Sequence, residues 1–427
     1  MQAYFWNEIE MERPEDKETR PWIRSYSPND PKPELPRSLR PDSPRTMAIL
    51  AFFLDVARGA PFSFTLYKEG SYYSDQEVSC VQLVLPKLID RSTQWENVSM
   101  QLRLPEFLLL RSVKSRLPLL QSLKLILPYR HQMERANHDV TLLPQMGDIF
   151  EDAPLLTHIE LLHLEDAAWK FNWASLTSIH LKSSDSPQTI IATLQQTVNL
   201  KALNIGGTIF DPDPAHASVK TIKLPYLEYL CIEGAFLLTI LETPALKELE
   251  IEFDASSNGA GTTIDFLLRS NCELSVLSLK HLGLRAQKEV LLHTPDLEEL
   301  TLTHNELPVE VVKWIAGSST DAAQARELPL RSLNSLSLYS YSKINNRHLQ
   351  AVEKMIRSRH STADTSIERL QELDIETDVM WVGSSSVLMS LELLCEKEEI
   401  DFKFTSWNPG PPETLVLLPI SAGVRRF

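Results

Sequence analysis

The chain has 427 residues, 43% of them hydrophobic, so it can bury a large core. Its formal net charge of −15 argues against a general nucleic-acid binder, because such proteins need a basic surface that displaces counterions from phosphates. No leader peptide is recognisable, and no apolar run approaches the roughly 20 residues of a membrane-spanning helix, so we expect no membrane association. The four cysteines are scattered without a Cys-x-x-Cys pair, which favours a reducing compartment and a cytoplasmic or nuclear protein: Cys80, Cys231, Cys272 and Cys395.

The N-terminal region is rich in proline and charge. Residues 12–45 contain eight prolines among many charged residues, and we expect residues 1–45 to form a disordered tail. A proline-rich ligand for a partner domain is the alternative. From residue 46 the sequence becomes predominantly apolar. This change predicts a helix, a turn at Gly59 and a strand over 62–67. We assign residues 46–92 to an N-terminal capping region.

A single template then repeats along the chain. Residues 243–253, "TPALKELEIEF", and residues 294–304, "TPDLEELTLTH", are two of its copies. Apolar residues lie at relative positions 0, 3 and 5, and positions 3 and 5 face the same side of a strand. Each unit therefore predicts a short strand with one apolar side, which neighbours must cover by stacking in parallel. The residues at position 0 are Trp95, Leu120, Leu156, Leu176, Leu200, Leu227, Leu246, Leu274, Leu297, Leu333 and Leu370.

Segments with helical spacing separate the strands. One predicted apolar face comprises Ile190, Ile191, Leu194 and Val198. A second comprises Leu349, Val352, Met355 and Ile356. Proline precedes the position-0 residue by two in five units, where we expect it to end a helix and direct the chain into the next strand: Pro118, Pro154, Pro225, Pro244 and Pro295.

The repeated Leu-x-x-Leu-x-Leu pattern resembles the leucine-rich repeat. The unit "LEELTLTHNEL" matches its longer form, with Leu297, Leu300, Leu302, Asn305 and Leu307. Phrases such as "LPLLQSLKL", "APLLTHIEL" and "LPYLEYLCIEG" resemble the fungal F-box proteins with irregular leucine-rich repeats, over about residues 46–405. The resemblance implies an α/β solenoid over 93–406, with a curved parallel sheet on the concave face, helices on the convex face and a C-terminal tail at 407–427.

The same resemblance implies a function in protein recognition. In that family an F-box docks the adaptor of a cullin-type ubiquitin ligase, and the repeats hold the substrate. No F-box is recognisable in residues 1–45, so the adaptor is an expected partner only if a cryptic F-box exists. The alternative is a ligase-independent scaffold or binding module.

The side of the strands opposite the core is the candidate partner-binding surface. Template positions 2, 4 and 6 alternate with the buried positions and are predicted to form one largely negative stripe, with Lys124, Lys182 and Lys280 as its bases. Either a protein partner, possibly a basic one, binds there, or the charges serve only solubility. The residues singled out for binding are Tyr229, Glu233, Glu248, Glu250, Glu252, Glu299, Tyr339, Glu372, Asp374 and Glu376.

No catalytic constellation is visible. His158, Glu160 and His163 do not have the order of a zinc-protease motif, and Gly206-Gly207 lacks the rest of a phosphate-binding loop. No nucleophile elbow occurs. We therefore expect a protein that is not an enzyme and that uses no cofactor and no metal.

Overall fold

Two units make up the chain, and each is treated separately. The N-terminal unit comprises Met1–Phe210 with Leu224–Leu227, and the C-terminal unit comprises Asp211–Lys223 with Glu228–Phe427. The computed structural model describes residues 3–5, 9–11, 44–57, 59–66, 75–126, 146–162, 169–182, 187–207, 220–253, 259–304, 309–317, 329–361, 367–377 and 384–406.

A mainly parallel sheet organises the N-terminal unit. Its strands are β1 (Ala3–Phe5), β2 (Ile9–Met11), β3 (Phe62–Leu66), β4 (Trp95–Gln101), β5 (Ser122–Ile126), β6 (His158–Leu162), β7 (Ser178–Lys182) and β8 (Ala202–Gly206). Strands β3 to β8 pair in parallel and in chain order, whereas β1 and β2 add an antiparallel ladder beside β3. The helices described in this unit are Pro44–Ala57, Asp75–Asp90, Leu104–Leu109 and Pro187–Leu194.

Parallel strands also organise the C-terminal unit. Its strands are β10 (Tyr229–Glu233), β12 (Glu248–Glu252), β13 (Val276–Lys280), β14 (Glu299–His304), β15 (Ser335–Ser340), β16 (Glu372–Thr377) and β17 (Asp401–Ser406). A separate parallel pair joins β9 (Ile222–Lys223) and β11 (Leu241–Glu242). The helices described here are Phe236–Ile240, Gly259–Ser270, Leu284–Leu291, Val309–Ile315, Asn346–Ser361 and Ser385–Lys397.

Apolar side chains align in two rows on one side of the C-terminal unit's sheet. Strand pairing brings template position 3 of each unit beside position 3 of the next, and likewise position 5. All twelve side chains are at most 1% exposed, and burial of each stabilises the fold by roughly 1.5–3 kcal/mol. The rows are Leu230, Leu249, Leu277, Leu300, Leu336 and Leu373, and then Ile232, Ile251, Leu279, Leu302, Leu338 and Ile375.

The predicted repeat template is confirmed as a pattern of burial. All eleven position-0 residues are buried, with Trp95 and Leu297 fully so and Leu274 the most exposed at 5%. The α/β class with parallel strands is also confirmed. The template continues on β17, where Phe402 and Phe404 are in register with the two apolar rows but only half-buried.

Proline lies in a tight turn at four of the five predicted positions, whereas Pro295 follows the end of the helix Leu284–Leu291. Pro244 does not end a helix, because the helix Phe236–Ile240 has already ended and β11 intervenes. Pro244 instead follows the first residue of a tight turn, in which the backbone N–H of Leu246 donates to the Thr243 carbonyl at 3.2 Å. Equivalent bonds close the turns at Pro118, Pro154 and Pro225. Proline suits this second position because its fixed φ matches the turn.

The predictions for Val198 and for the N-terminal tail differ from the structure, and some others cannot be compared with it. Val198 is 54% exposed, because the helix Pro187–Leu194 ends before the chain reaches it. Strands β1 and β2 lie within the range predicted to be a disordered tail. The proline-rich stretch to residue 43, Asn305 and the predicted tail at 407–427 lie outside the described residues.

A buried arginine ties the helix Asn346–Ser361 to the segments that lead into β15 and β16. The Arg359 side chain donates to the backbone carbonyls of Leu330 and Leu333 at 3.1 and 3.0 Å, and to that of Glu368 at 3.1 Å. The residue is 1% exposed, and burial lowers the pKa of its guanidinium to about 10, which leaves it charged at neutral pH. Arg269, near the end of its own helix, donates to the Leu241 carbonyl in the same manner.

We predict that Arg359→Met lowers the free energy of unfolding by about 3–5 kcal/mol, because the buried carbonyls lose their charged donor. Arg359→Lys should recover only part of this loss, since one ammonium cannot span the same set of carbonyls. Urea unfolding measures the effect. The control is Arg285→Met, whose side chain is 94% exposed and should change stability by less than about 0.5 kcal/mol. Equal unfolding midpoints for the two methionine variants would contradict the role given to Arg359.

A second buried polar contact joins β14 to the helix Leu284–Leu291. The Gln287 side-chain amide is hydrogen-bonded to the His304 ring, and both residues are buried. Burial, aided by the nearby His281, lowers the pKa of His304 from its ordinary 6.5 to about 4. His304 therefore stays neutral in the folded protein at a pH where the unfolded chain binds a proton.

This depressed pKa predicts a loss of stability in acid. Neutral His304 contributes its full stabilisation above pH 6.5. This stabilisation is lost as the pH falls towards 4, and the loss there is about 3 kcal/mol. His304→Gln, which cannot titrate, should lack this component. Urea unfolding of both proteins at several pH values between 7 and 4 gives the difference directly. Parallel pH profiles for the two proteins would show that His304 is not the group responsible.

Candidate recognition surface

The outward side of the C-terminal unit's sheet, here called the polar face, carries three rows of side chains in register. The first row contains Tyr229, Glu248, Val276, Glu299, Ser335, Glu372 and Asp401. The second contains Cys231, Glu250, Ser278, Thr301, Ser337, Asp374 and Lys403. The third contains Glu233, Glu252, Lys280, Thr303, Tyr339, Glu376 and Thr405. All ten residues predicted to bind a partner belong to these rows.

Exposure agrees with this arrangement. Glu248 and Glu372 are exposed, and the other eight predicted residues are half-buried, whereas their strand neighbours on the opposite side are buried. Adjacent rows along a strand are about 7 Å apart, and adjacent strands about 4.8 Å apart. The polar face is therefore broad enough for several side chains of a partner to contact it at once.

Lys280 interrupts the predicted negative stripe, and Lys403 lies at its end on β17. The ammonium of Lys280 lies 2.5 Å from Oε1 of Glu250 and 3.9 Å from Oε2 of Glu252. Lys403 lies 3.5 Å from Oδ2 of Asp374. Most of the acids therefore fall into one group on β10 and β12 and another on β16 and β17, with Glu299 of β14 between them. Between them the second row carries only the small hydroxyl side chains of Ser278, Thr301 and Ser337.

Two of the polar side chains on β10, Tyr229 and Cys231, are neutral at physiological pH. Burial raises the pKa of the Tyr229 hydroxyl above its usual range. Burial first, and the charge of Glu250 second, raise the pKa of the Cys231 thiol to about 12. A thiol with so high a pKa is a poor nucleophile, because the reactive species is the thiolate. Tyr229 and Cys231 thus supply contact area and hydrogen-bonding atoms.

Sequence reasoning missed an aromatic group at one end of the polar face. The His281 and Tyr341 rings stack with centroids 5.5 Å apart and planes at 15°. Tyr339 meets Tyr341 edge to face at 5.1 Å. His281 and Tyr341 follow the last residues of β13 and β15, outside the template positions, so only the closely spaced tyrosines in "LYSYS" hinted at it.

The N-terminal unit has its own charged row on β5 to β7. Lys124 lies 2.8 Å from Oε1 of Glu160, and Nδ1 of His180 lies 3.5 Å from the same oxygen. Burial lowers the pKa of His180, although Glu160 opposes the shift. His158 is hydrogen-bonded to the Thr157 hydroxyl at 2.7 Å, Lys182 is exposed, and His163 lies outside the described residues. Gly207 follows β8 with a φ of 80°, the conformation of a turn.

Two other kinds of feature are absent from the residues that the structure describes. Within the described ranges, no three histidine, cysteine or acidic side chains gather as metal ligands. None of the helices in those ranges has the length and apolar character to span a bilayer. No protein-family model matches the chain, and no curated protein is similar enough to count as a match.

We predict that reversing the outward glutamates of β12 leaves the fold intact. Glu248→Lys should change the free energy of unfolding by less than about 0.5 kcal/mol, because that side chain points into solvent. Glu250→Lys should cost about 1 kcal/mol, because Lys280 loses its closest partner and meets a like charge. Far-UV circular dichroism and urea unfolding measure both effects.

The matched control is the exchange Glu250→Lys with Lys280→Glu, which restores the opposite charges and should recover most of the loss. Collapse of the helical signal in Glu248→Lys would contradict the assignment of that side chain to the outward side. A swap variant no more stable than Glu250→Lys alone would show that the ion pair does not act as described.

Proposed function

We propose that this chain is an irregular leucine-rich-repeat solenoid that recognises a protein through its polar face and catalyses no reaction. The observation that carries the proposal is the in-register alignment of three outward rows over seven parallel strands. Such alignment gives a rigid surface whose side chains can be varied without changing the core. Surfaces of this kind suit partner recognition better than chemistry.

The repeat architecture is supported by the order of its elements. In the C-terminal unit each strand from β12 to β16 is followed by a helix and then by the next parallel strand. One buried position-0 leucine precedes each strand from β12 to β16, as stacking of similar units requires. In the proposed solenoid the strands line the concave side and the helices the convex side.

Charge favours a basic partner. The three rows contain nine carboxylates against two lysines, and both lysines are already within ion-pair distance of carboxylates on the same face. Excess negative potential on one face accelerates encounter with a positively charged surface and disfavours acidic partners. Aromatic side chains on the same face, Tyr229 and Tyr339, offer the contact area that dominates many interfaces.

The proposed cellular role is that of a substrate receptor, resembling the repeat part of the F-box receptors of cullin-type ubiquitin ligases, in the cytoplasm or nucleus. The adaptor of the ligase joins this proposal only if an F-box-like element exists in the chain. A ligase-independent scaffold that binds through the same polar face is the alternative.

Affinity capture with matched charge variants tests the proposal. We expect partners recovered with the full-length tagged protein to be lost with Glu248→Lys/Glu252→Lys/Glu372→Lys, which reverses charge on the polar face. They should be kept by Asp265→Lys/Asp296→Lys/Glu396→Lys, which reverses the same number of exposed acids outside it. Quantitative mass spectrometry of the captured proteins is the measurement.

Each outcome bears on a different part of the proposal. Equal loss or equal retention by the two triple variants would show that the polar face does not select the partner. Enrichment of a cullin adaptor would favour the receptor role. Partners that depend on the polar face but come without an adaptor would overturn the ligase role and favour the scaffold.

A further inference from the structure

The aromatic group at the end of the polar face, here called the aromatic shelf, consists of His281, Tyr339 and Tyr341. Its rings come from two strands that are not neighbours, since β14 lies between β13 and β15. Stacking at 5.5 Å bridges that strand, and backbone bonds hold both ends in place. The N–H of His281 donates to the Thr303 carbonyl at 2.9 Å, and that of Tyr341 to the His304 carbonyl at 3.0 Å.

The shelf is accessible although it is held in place. Tyr341 is 41% exposed, while Tyr339 and His281 are half-buried. Large aromatic side chains that are fixed on a surface lose little conformational entropy when they bind a partner. Contiguous apolar surface of this kind is a common feature of contact sites, whereas scattered single apolar residues are not.

The charges around the shelf indicate what it can bind. Glu376 is the register partner of Tyr339 on β16, and Asp374 lies two residues before it. Asp374 has one carboxylate oxygen that is buried and accepts no hydrogen bond, whereas the other lies near Lys403. Two bases lie near the shelf in sequence. Lys280 directly precedes His281, but its ammonium is paired with Glu250 and lies two strands from Tyr339. Lys343 follows Tyr341 by two residues and is exposed. A ligand on the shelf therefore meets aromatic faces and acceptor oxygens.

Short side chains lie beside the shelf. On β13 to β15 the second row consists of the short side chains of Ser278, Thr301 and Ser337. Ser335 of the first row is equally short. Longer acidic side chains stand on either side, on β12 and β16. An extended chain that crosses β13 to β15 along the second row would therefore meet only short side chains before it reaches Asp374 on β16.

We propose that the aromatic shelf binds the cationic side chain of an arginine or lysine in an extended, basic segment of the partner protein. The cation lies against the rings of Tyr339 and Tyr341, where the ring quadrupole attracts it, and Glu376 and Asp374 accept its hydrogen bonds. This inference rests on the proposed function and gives its partner a chemical class. An acidic segment is excluded by the neighbouring carboxylates, and an aliphatic anchor would leave the Asp374 oxygen without a donor.

The test uses the full-length protein and fluorescein-labelled octa-arginine, with octa-lysine, octa-glutamate and an uncharged glycine–serine octapeptide for comparison. Fluorescence anisotropy is measured at physiological ionic strength, where charges farther apart than about 8 Å are largely screened. We expect octa-arginine and octa-lysine to bind and the other two not to bind. Tyr339→Phe/Tyr341→Phe keeps both ring faces and should bind within about twofold of the unaltered protein.

Tyr339→Leu/Tyr341→Leu keeps apolar side chains but removes the rings, and it should weaken octa-arginine binding about tenfold. Glu376→Gln should weaken it about threefold by removing one charged acceptor. The matched control is Tyr226→Leu, which removes a tyrosine that is 57% exposed and lies outside the polar face, and which should have no effect. Circular dichroism verifies that each variant is folded.

The outcomes separate this inference from the proposed function. If the leucine pair binds as tightly as the unaltered protein while Glu248→Lys/Glu252→Lys/Glu372→Lys abolishes binding, charge alone acts and the shelf is not the site. If neither octa-arginine nor octa-lysine binds, the proposal that the shelf binds a cationic side chain is wrong. Affinity capture would still test whether the polar face recognises a partner. An equal loss with Tyr226→Leu would likewise overturn the assignment.

Discussion

Alternation of side chains along each strand is the constraint on which this molecule depends. Because successive residues face opposite sides, and because neighbouring parallel strands keep the same register, one short template generates two inner apolar rows and three outer rows. The inner rows are closed to water, so their composition is limited to leucine, isoleucine and similar side chains. The outer rows have no such limit, and the chemistry that distinguishes this protein lies there.

Polar groups inside the fold are placed where chain segments between strands have no ladder of their own. Arg359 supplies a single charged donor to several carbonyls that regular secondary structure leaves unmatched. His304 and Gln287 form a neutral side-chain pair between a strand end and a helix. These contacts connect helices to strand ends and to the segments that lead into strands. They complement the apolar rows, which connect one strand to the next.

The sequence alone was sufficient for features that depend on local period. The buried position-0 residues and the outward direction of Glu248, Glu250 and Glu252 follow from spacing within one strand. Features that depend on neighbouring strands were not predictable. The pairing of Lys280 with Glu250 depends on the register between β12 and β13. His281 stacks on Tyr341 from a left-handed backbone conformation, with φ of 61°, directly after β13. The sequence predicts a helix end at Pro244, where the structure has a tight turn, because proline is common in both places.

The register between strands also persists across connections of very different length. Residues 234–247 join β10 to β12, whereas residues 341–371 join β15 to β16, yet both pairs align residue for residue. The position of each outer side chain is thus independent of how long the intervening segment is. Evolution can therefore lengthen or replace a connection, or rewrite one strand's outward residues, and acquire a new specificity without having to redesign the core.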